Sequence, residues 1–143
     1  MKKVVTFGEL MLRLQPYDYL RFVQADSFEA TFGGGEANVA VSLANYGHDA
    51  YFVTKLPTHE IGQSAVNALR KYGVDTSFIK WVPYDGTGRK VRNGLNFTER
   101  GFGIRGASGV SDRGNTAVSQ LKPGDIDWDY IFGTLGVRWL HTG

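Results

Sequence analysis

Cysteine is absent from the 143 residues, which excludes disulfides, thiolate nucleophiles and cysteine-ligated metals. A reducing compartment is compatible with that absence. Long apolar runs are missing too, so no segment is suited to crossing a bilayer as a helix. The run Val4–Phe7, behind Met-Lys-Lys, is too short for the core of a signal peptide. The expectation is a soluble, cytoplasmic protein with no membrane partner. Charge of one sign is scarce: 16 Lys and Arg face 14 Asp and Glu, a net +2. That is too little by itself to mark a nucleic-acid binder. His48, His59 and His141 have no metal-ligand spacing, and no metal site is expected. Asp125-x-Asp127-x-Asp129 begins like a calcium loop, but Tyr130 stands where glycine is needed and Gly136 where glutamate is needed. No Ser-His-Asp or Cys-His arrangement can be argued.

Glycine, by contrast, is plentiful at 19 residues. It punctuates the chain instead of forming a tract, as turns and close backbone approaches require. With 42% hydrophobic and 21% charged residues the chain has the makings of one core, and disorder is not expected.

Hydrophobic periodicity gives the order of elements. Lys3–Gly8 reads as a buried strand, Glu9–Leu14 as a second strand on another surface, and Phe22–Phe32 as a strand pair or edge strand. Glu36–Tyr46 has small apolar residues at helical spacing and Gly47 as its stop. Ala50–Thr54 is a buried strand, Ile61–Tyr72 an amphipathic helix stopped by Gly73, and Phe78–Val82 a short strand. Strand–helix alternation predicts a parallel sheet with helices on both faces. Residues 10–32 break that rhythm, as do residues 87–113, where Val91, Leu95 and Phe97 sit among Gly, Arg and Lys. Both belong outside the main sheet. Asn115–Leu121 suggests a short helix, Ile126–Leu135 a helix carrying Trp128 and Phe132, and Val137–Thr142 a final strand. A strand in that place lacks its next crossover helix, so the sheet reads as incomplete.

The strongest chemical candidate is G-G-G-E-A-N-V-A, Gly33 to Ala40. Glycines let the backbone approach a ligand, and the helix start offers unpaired N–H groups at a positive dipole end. Asn38, in the first turn, could hydrogen-bond a hydroxyl. A plain turn before a helix fits the same pattern. The run is not a P-loop, since no Gly-Lys-Ser/Thr follows, nor a dinucleotide fingerprint, since it does not directly follow the first strand. Glu9 lies at the carboxyl end of the first strand, where α/β proteins bind ligands; a solvated turn carboxylate is the alternative. The arginines and lysines of residues 89–113 fit either a solvated face or an anion or nucleic-acid surface.

Four segments then occur in one order: G-E-L-M-L-R-L (Gly8–Leu14), F-G-G-G-E-A-N-V-A-V-S-L-A (Phe32–Ala44), F-V-T-K-L-P (Phe52–Pro57) and Y-G-V-D-T (Tyr72–Thr76). Together they resemble the N-terminal half of pfkB-family, ribokinase-like carbohydrate kinases, and within these the 2-keto-3-deoxygluconate kinase branch. G-L-N-F-T-E-R-G (Gly94–Gly101) through S-D-R (Ser111–Arg113) extends the likeness. The resemblance implies an α/β, Rossmann-like, mostly parallel sheet with flanking helices and a small β-sheet lid. Residues 1–9, 33–86 and 114–143 would form the core, and 10–32 and 87–113 the lid.

It further implies ATP-dependent phosphorylation of a sugar or sugar acid, with Mg²⁺, and a homodimer formed through the lid. Gly33, Gly34, Gly35, Asn38, Glu9 and Arg113 would contact the sugar, Arg113 by gripping its carboxylate with a two-pronged guanidinium. Asn96 and Ser111 stand where that branch has two tyrosines facing the sugar. Stacking is exchanged for hydrogen bonding there, so a related sugar or sugar acid is expected instead of 2-keto-3-deoxygluconate itself. The family's D-T-x-G-A-G-D segment, with the catalytic base, and its N-x-x-E segment are not among these residues. No catalytic residue is therefore assigned, and the chain alone is expected to be inactive. A non-catalytic sugar-binding module is the alternative.

Overall fold

A computed structural model describes residues 1–143. Strands β1 (Lys3–Phe7), β4 (Asp49–Val53) and β9 (Trp139–His141) form a parallel sheet in the order β4-β1-β9. Beyond β4 the chain bends at the buried Thr54, and β5 (Lys55–Thr58) pairs in parallel with β6 (Lys80–Pro83). Backbone bonds from Phe52 and Asp75 tie the approach to β6 against β4, so the outer edge of this sheet is lined along its length.

Period-two alternation divides the core. Phe52 points to one face, where it meets Leu10, Leu56 and the two helices α1 (Gly35–Asn45) and α2 (Glu60–Arg70). Val5 and Val53 point to the other face and pack on Ile131 and Val137. Helices on both faces were expected. Instead both long helices share one face, and the other is covered by an irregular segment. Its one regular piece is a short helix over residues 128–134, inside the 126–135 expected, which widens to π geometry over Tyr130–Thr134. Gly136, which takes φ +76°, stops it. Residues 115–121 likewise form only a 3₁₀ turn, Val118–Gln120.

Helix α1 buries Ala37 and Ala40 on the sheet, so small side chains set a close approach. Helix α2 starts where His59 Nδ1 accepts the Gly62 N–H at 3.0 Å. Gly47 (φ +82°) and Gly73 (φ +81°) follow the two helices in the left-handed region, as their positions in the sequence suggest.

A second sheet has the order β3-β2-β7-β8, from β2 (Met11–Pro16), β3 (Phe28–Gly33), β7 (Leu95–Glu99) and β8 (Ser108–Asp112). A 3₁₀ turn, Phe22–Gln24, precedes β3. The register places Met11, Arg13, Thr31, Asn96 and Ser111 on one face. Leu12, Leu14, Phe28, Phe97 and Val110 share the other, apolar face, where Phe28 and Phe97 meet edge-on at 6.3 Å and Val110 is exposed.

Three aspartates, the exposed Asp112 and the half-buried Asp85 and Asp125, are held below the ordinary carboxylate range. The Lys55 ammonium at 3.0 Å does this chiefly for Asp125, Arg92 for Asp112, and the Lys90 backbone N–H for Asp85. A native-state pKa below that of the unfolded chain stabilises the fold above the unfolded value, about 3.9, and the contribution is lost as pH falls through the lower native value. The melting temperature is therefore expected to hold on acidification to about pH 4 and then drop. Asp125→Asn should lower it at neutral pH and show a smaller acid drop. Thermal scans across pH check this; an identical difference between the two proteins at both extremes would refute it.

Candidate functional site

All four strands of the second sheet enter or leave the first sheet at one place. Glu9 precedes β2, Gly34 follows β3, Asn93 and Gly94 precede β7, and Arg113 follows β8. This junction sits over the carboxyl end of β1, the side on which open α/β sheets bind ligands. A cleft of about 740 Å³ lies there, bounded by Glu9, Met11, Gly34, Gly35, Glu36 and Arg113, with Thr142 and Gly143 at the β9 side.

Its electrostatic centre is an ion pair. Glu9 is only 9% exposed, and its Oε2 accepts from Nε of Arg113 at 2.5 Å, with Nη2 equally close in the ion pair. The Arg113 side chain is 55% exposed. A guanidinium has five N–H donors, so the arginine keeps donors for a ligand while Glu9 fixes its plane. Glu9 thus faces the arginine more than the open cleft. Helix α1 supplies the facing wall. Its Asn38 N–H is the first to bond back, to the Gly34 carbonyl at 2.9 Å, so the N–H groups of Gly35, Glu36 and Ala37 have no partner inside the helix.

Of the residues singled out from the sequence, Glu9, Gly34, Gly35 and Arg113 come together. Gly33 ends β3 beside them, paired with Met11. Asn96 and Ser111 oppose each other across β7 and β8, on the face that carries Met11, but do not reach the cleft wall. Asn38 stands apart. It is exposed and lines a separate hollow between β3 and the two helices, with Phe32, Val41 and Tyr72. Turning Ala37 onto the sheet rotates its neighbour Asn38 away from the cleft.

Two cleft features escaped the sequence reading. A Cβ on Gly8 would overlap the Glu36 carboxylate, which therefore leans over the end of β1. A Cβ on Gly34 would overlap the Glu9 carbonyl oxygen, whereas Gly33 and Gly35 have nothing within 4 Å of theirs. Neither approach has a signal in sequence spacing, because the partners are brought together only by the junction of the two sheets.

The basic stretch from 89 to 113 is largely committed to the protein itself. Arg92 pairs with Asp112 and donates to the Gly114 carbonyl at 2.7 Å; Arg105 bonds the Tyr19 carbonyl at 2.5 Å; Arg100 lies 3.8 Å from Glu29. These contacts take support from the anion or nucleic-acid reading. Asp125 is used by Lys55, and Asp127 accepts the Tyr130 N–H, so the aspartate run serves local structure. No group of three or more His, Asp or Glu side chains is placed to hold a metal. No helix is long and apolar enough to cross a membrane.

Comparison with known proteins bears on this geometry. The model of the pfkB family of carbohydrate kinases matches residues 1–105. A 2-dehydro-3-deoxygluconokinase from Thermotoga maritima superposes with a TM-score of 0.90 at 47% identity, covering 99% of this chain and 41% of that one. A PfkB family carbohydrate kinase from Listeria grayi gives 0.86 at 35% identity, covering 99% and 41%. A 2-dehydro-3-deoxygalactonokinase from Haloferax volcanii is 32% identical over 129 residues, 90% of this chain and 38% of the relative. The chain thus spans about two fifths of the length of these relatives.

Proposed function

The chain belongs to the pfkB family of carbohydrate kinases, and from that membership we propose that it supplies the sugar-binding side of an ATP-dependent kinase. The substrate class is a sugar acid related to 2-dehydro-3-deoxygluconate. One observation carries this reading: Arg113 is fixed by Glu9 in a cleft whose other wall is a helix start entered through glycine. A guanidinium held in one plane suits a planar carboxylate. Unpaired N–H groups and glycine-lined backbone suit hydroxyls and a keto oxygen.

Arg113 binds the carboxylate, Glu9 positions Arg113, and Gly34 and Gly35 let the sugar lie against the backbone. Asn96 and Ser111, on the cleft-side face of the second sheet, set the roof as a hydrogen-bonding surface. That sheet acts as a lid whose approach excludes water from phosphoryl transfer. ATP and Mg²⁺ follow from the family, but the cleft residues do not form a metal site. The apolar lid face with Leu14, Phe28 and Val110 is the surface through which we propose that two copies meet. Sedimentation as a monomer at micromolar concentration would overturn that pairing.

A coupled ATP assay of the full-length protein across a panel of sugar acids and neutral sugars tests the reading. Turnover confined to acids is expected. Equal turnover of a neutral sugar, or none of any sugar, overturns it.

A further inference from the structure

Behind the Glu9–Arg113 pair is a small cavity of about 10 Å³, bounded by Glu9, Thr54, Asn93, Gly94 and Thr116. Three of its side chains are deeply buried: Asn93 is 8% exposed, Glu9 9% and Thr54 0%. Four polar atoms on them find no partner in the protein: Glu9 Oε1, Thr54 Oγ1, and both Oδ1 and Nδ2 of Asn93. Unpartnered polar atoms this deep are rare, and one cavity collecting four calls for a guest. Gly94 leaves room for the Glu9 carboxylate at this cavity, because a Cβ there would overlap Glu9 Oε1.

The volume suits one water molecule. So does the chemistry. Glu9 Oε1 only accepts, Asn93 Nδ2 only donates, and the Thr54 hydroxyl does either, while a water donates twice and accepts twice. A bare cation would satisfy the oxygens but face the Asn93 N–H₂ group, and an apolar guest would satisfy none.

We propose that this cavity binds one structural water, and that Asn93 acts through it as a positioning residue for Arg113. The water donates to Glu9 Oε1 and accepts from Asn93 Nδ2. With one oxygen held from behind and the other accepting the Nε–H of Arg113 within the ion pair, rotation of the Glu9 carboxylate is restrained. The arginine fork is thereby set at a fixed angle in the cleft. The role of the water stands on the cavity alone; its consequence for substrate rests on the sugar-acid reading given above.

Two measurements test it. A high-resolution crystal structure of the full-length protein should show a density peak at hydrogen-bonding distance, about 2.7–3.2 Å, from Glu9 Oε1, Thr54 Oγ1 and the Asn93 side chain. An empty cavity, or one filled by the Asn93 side chain itself, overturns the water. In the kinase assay with the sugar acid of the panel that is turned over best, Asn93→Leu should raise KM about tenfold, the scale of losing a supporting partner, with kcat changed less than about twofold. An unchanged KM overturns the positioning role, as does an equal fall in kcat at unchanged KM. If Asn93→Leu does not fold, Thr54→Val, which removes only the hydroxyl, carries the same comparison. If the wild-type protein turns over no sugar acid, the functional reading fails alone, and the crystal structure still decides whether the water is there.

Discussion

Arg113→Ala should raise KM for a sugar-acid substrate by roughly a hundredfold or more and also lower the melting temperature. The two effects have different causes, which is why the variant is informative. A charge-assisted hydrogen bond contributes about 1.5–3 kcal/mol. Losing a two-pronged grip on a carboxylate therefore costs about 3 kcal/mol, and each ~1.4 kcal/mol is tenfold in affinity. The stability loss comes from Glu9. Its Oε2 has no partner besides Arg113, and the residue is 9% exposed. Stranding that carboxylate costs about 1–3 kcal/mol. The smaller figure is favoured because the Arg113 side chain is 55% exposed and the pair is partly screened. Arg113→Lys keeps the charge but not the fork, so about a tenfold rise is expected. The decisive variant is the double one, Arg113→Ala with Glu9→Gln. It should recover much of the lost stability, since no buried charge is stranded, and none of the lost affinity. A double variant that recovers affinity would make Arg113 a purely structural residue.

How much of this was legible in the sequence depends on whether a signal was local. Glycine stops at Gly47 and Gly73, and period-two runs such as Val4–Phe7, act within a few residues, and both helices and the central strands lie where they are expected. Residues 10–32 and 87–113 broke the strand–helix rhythm, and their strands do form a separate sheet. Less visible was the placement of both helices on one face, which depends on the crossovers and not on either helix's own pattern. Residues 126–135 kept an apolar stripe and gave a helix over 128–134, which ends before Gly136 at φ +76°. In the site, Glu9, Gly34 and Arg113 could be named from the sequence, but their relation could not. They are 25 and 79 residues apart in sequence and meet only where the second sheet joins the first. Asn38 shows the opposite failure. A first-turn position was readable, but the roll of α1 was set by Ala37 and Ala40 packing on the sheet. Asn93 carried no signal, and Glu36 only its part in the family resemblance, because a buried amide and a wedged carboxylate look like surface residues until their neighbours are known.

The glycine run gives the sharpest division between folding and binding. Three consecutive glycines invite one shared explanation, yet their surroundings differ. Gly34 is extended, with φ 169°, so any residue can adopt its backbone. What forbids a side chain there is the Glu9 carbonyl oxygen, which a Cβ would overlap. The obstacle is backbone at the junction of the two sheets and cannot swing aside as a side-chain tip would. Gly34→Ala should therefore destabilise the protein by about 3 kcal/mol, at the upper end of overpacking, by pushing β3 and α1 away from Glu9. Because Glu9 holds Arg113, substrate affinity should fall as well. Gly35→Ala meets open space, at the first residue of α1. Removing a glycine from a helix gains about 0.4–1 kcal/mol, so this variant should melt slightly higher. Yet Gly35 lines the cleft, and its new methyl group should raise KM. Gly33→Ala also meets open space but does not line the cleft wall, so it should change little in either respect. Thermal melts and substrate titrations on the three variants separate the cases. Equal destabilisation by all three would mean that the run is needed for turn geometry. A stable Gly34→Ala variant with unchanged affinity would show that the close approach of β3's end to Glu9 does not hold the site together.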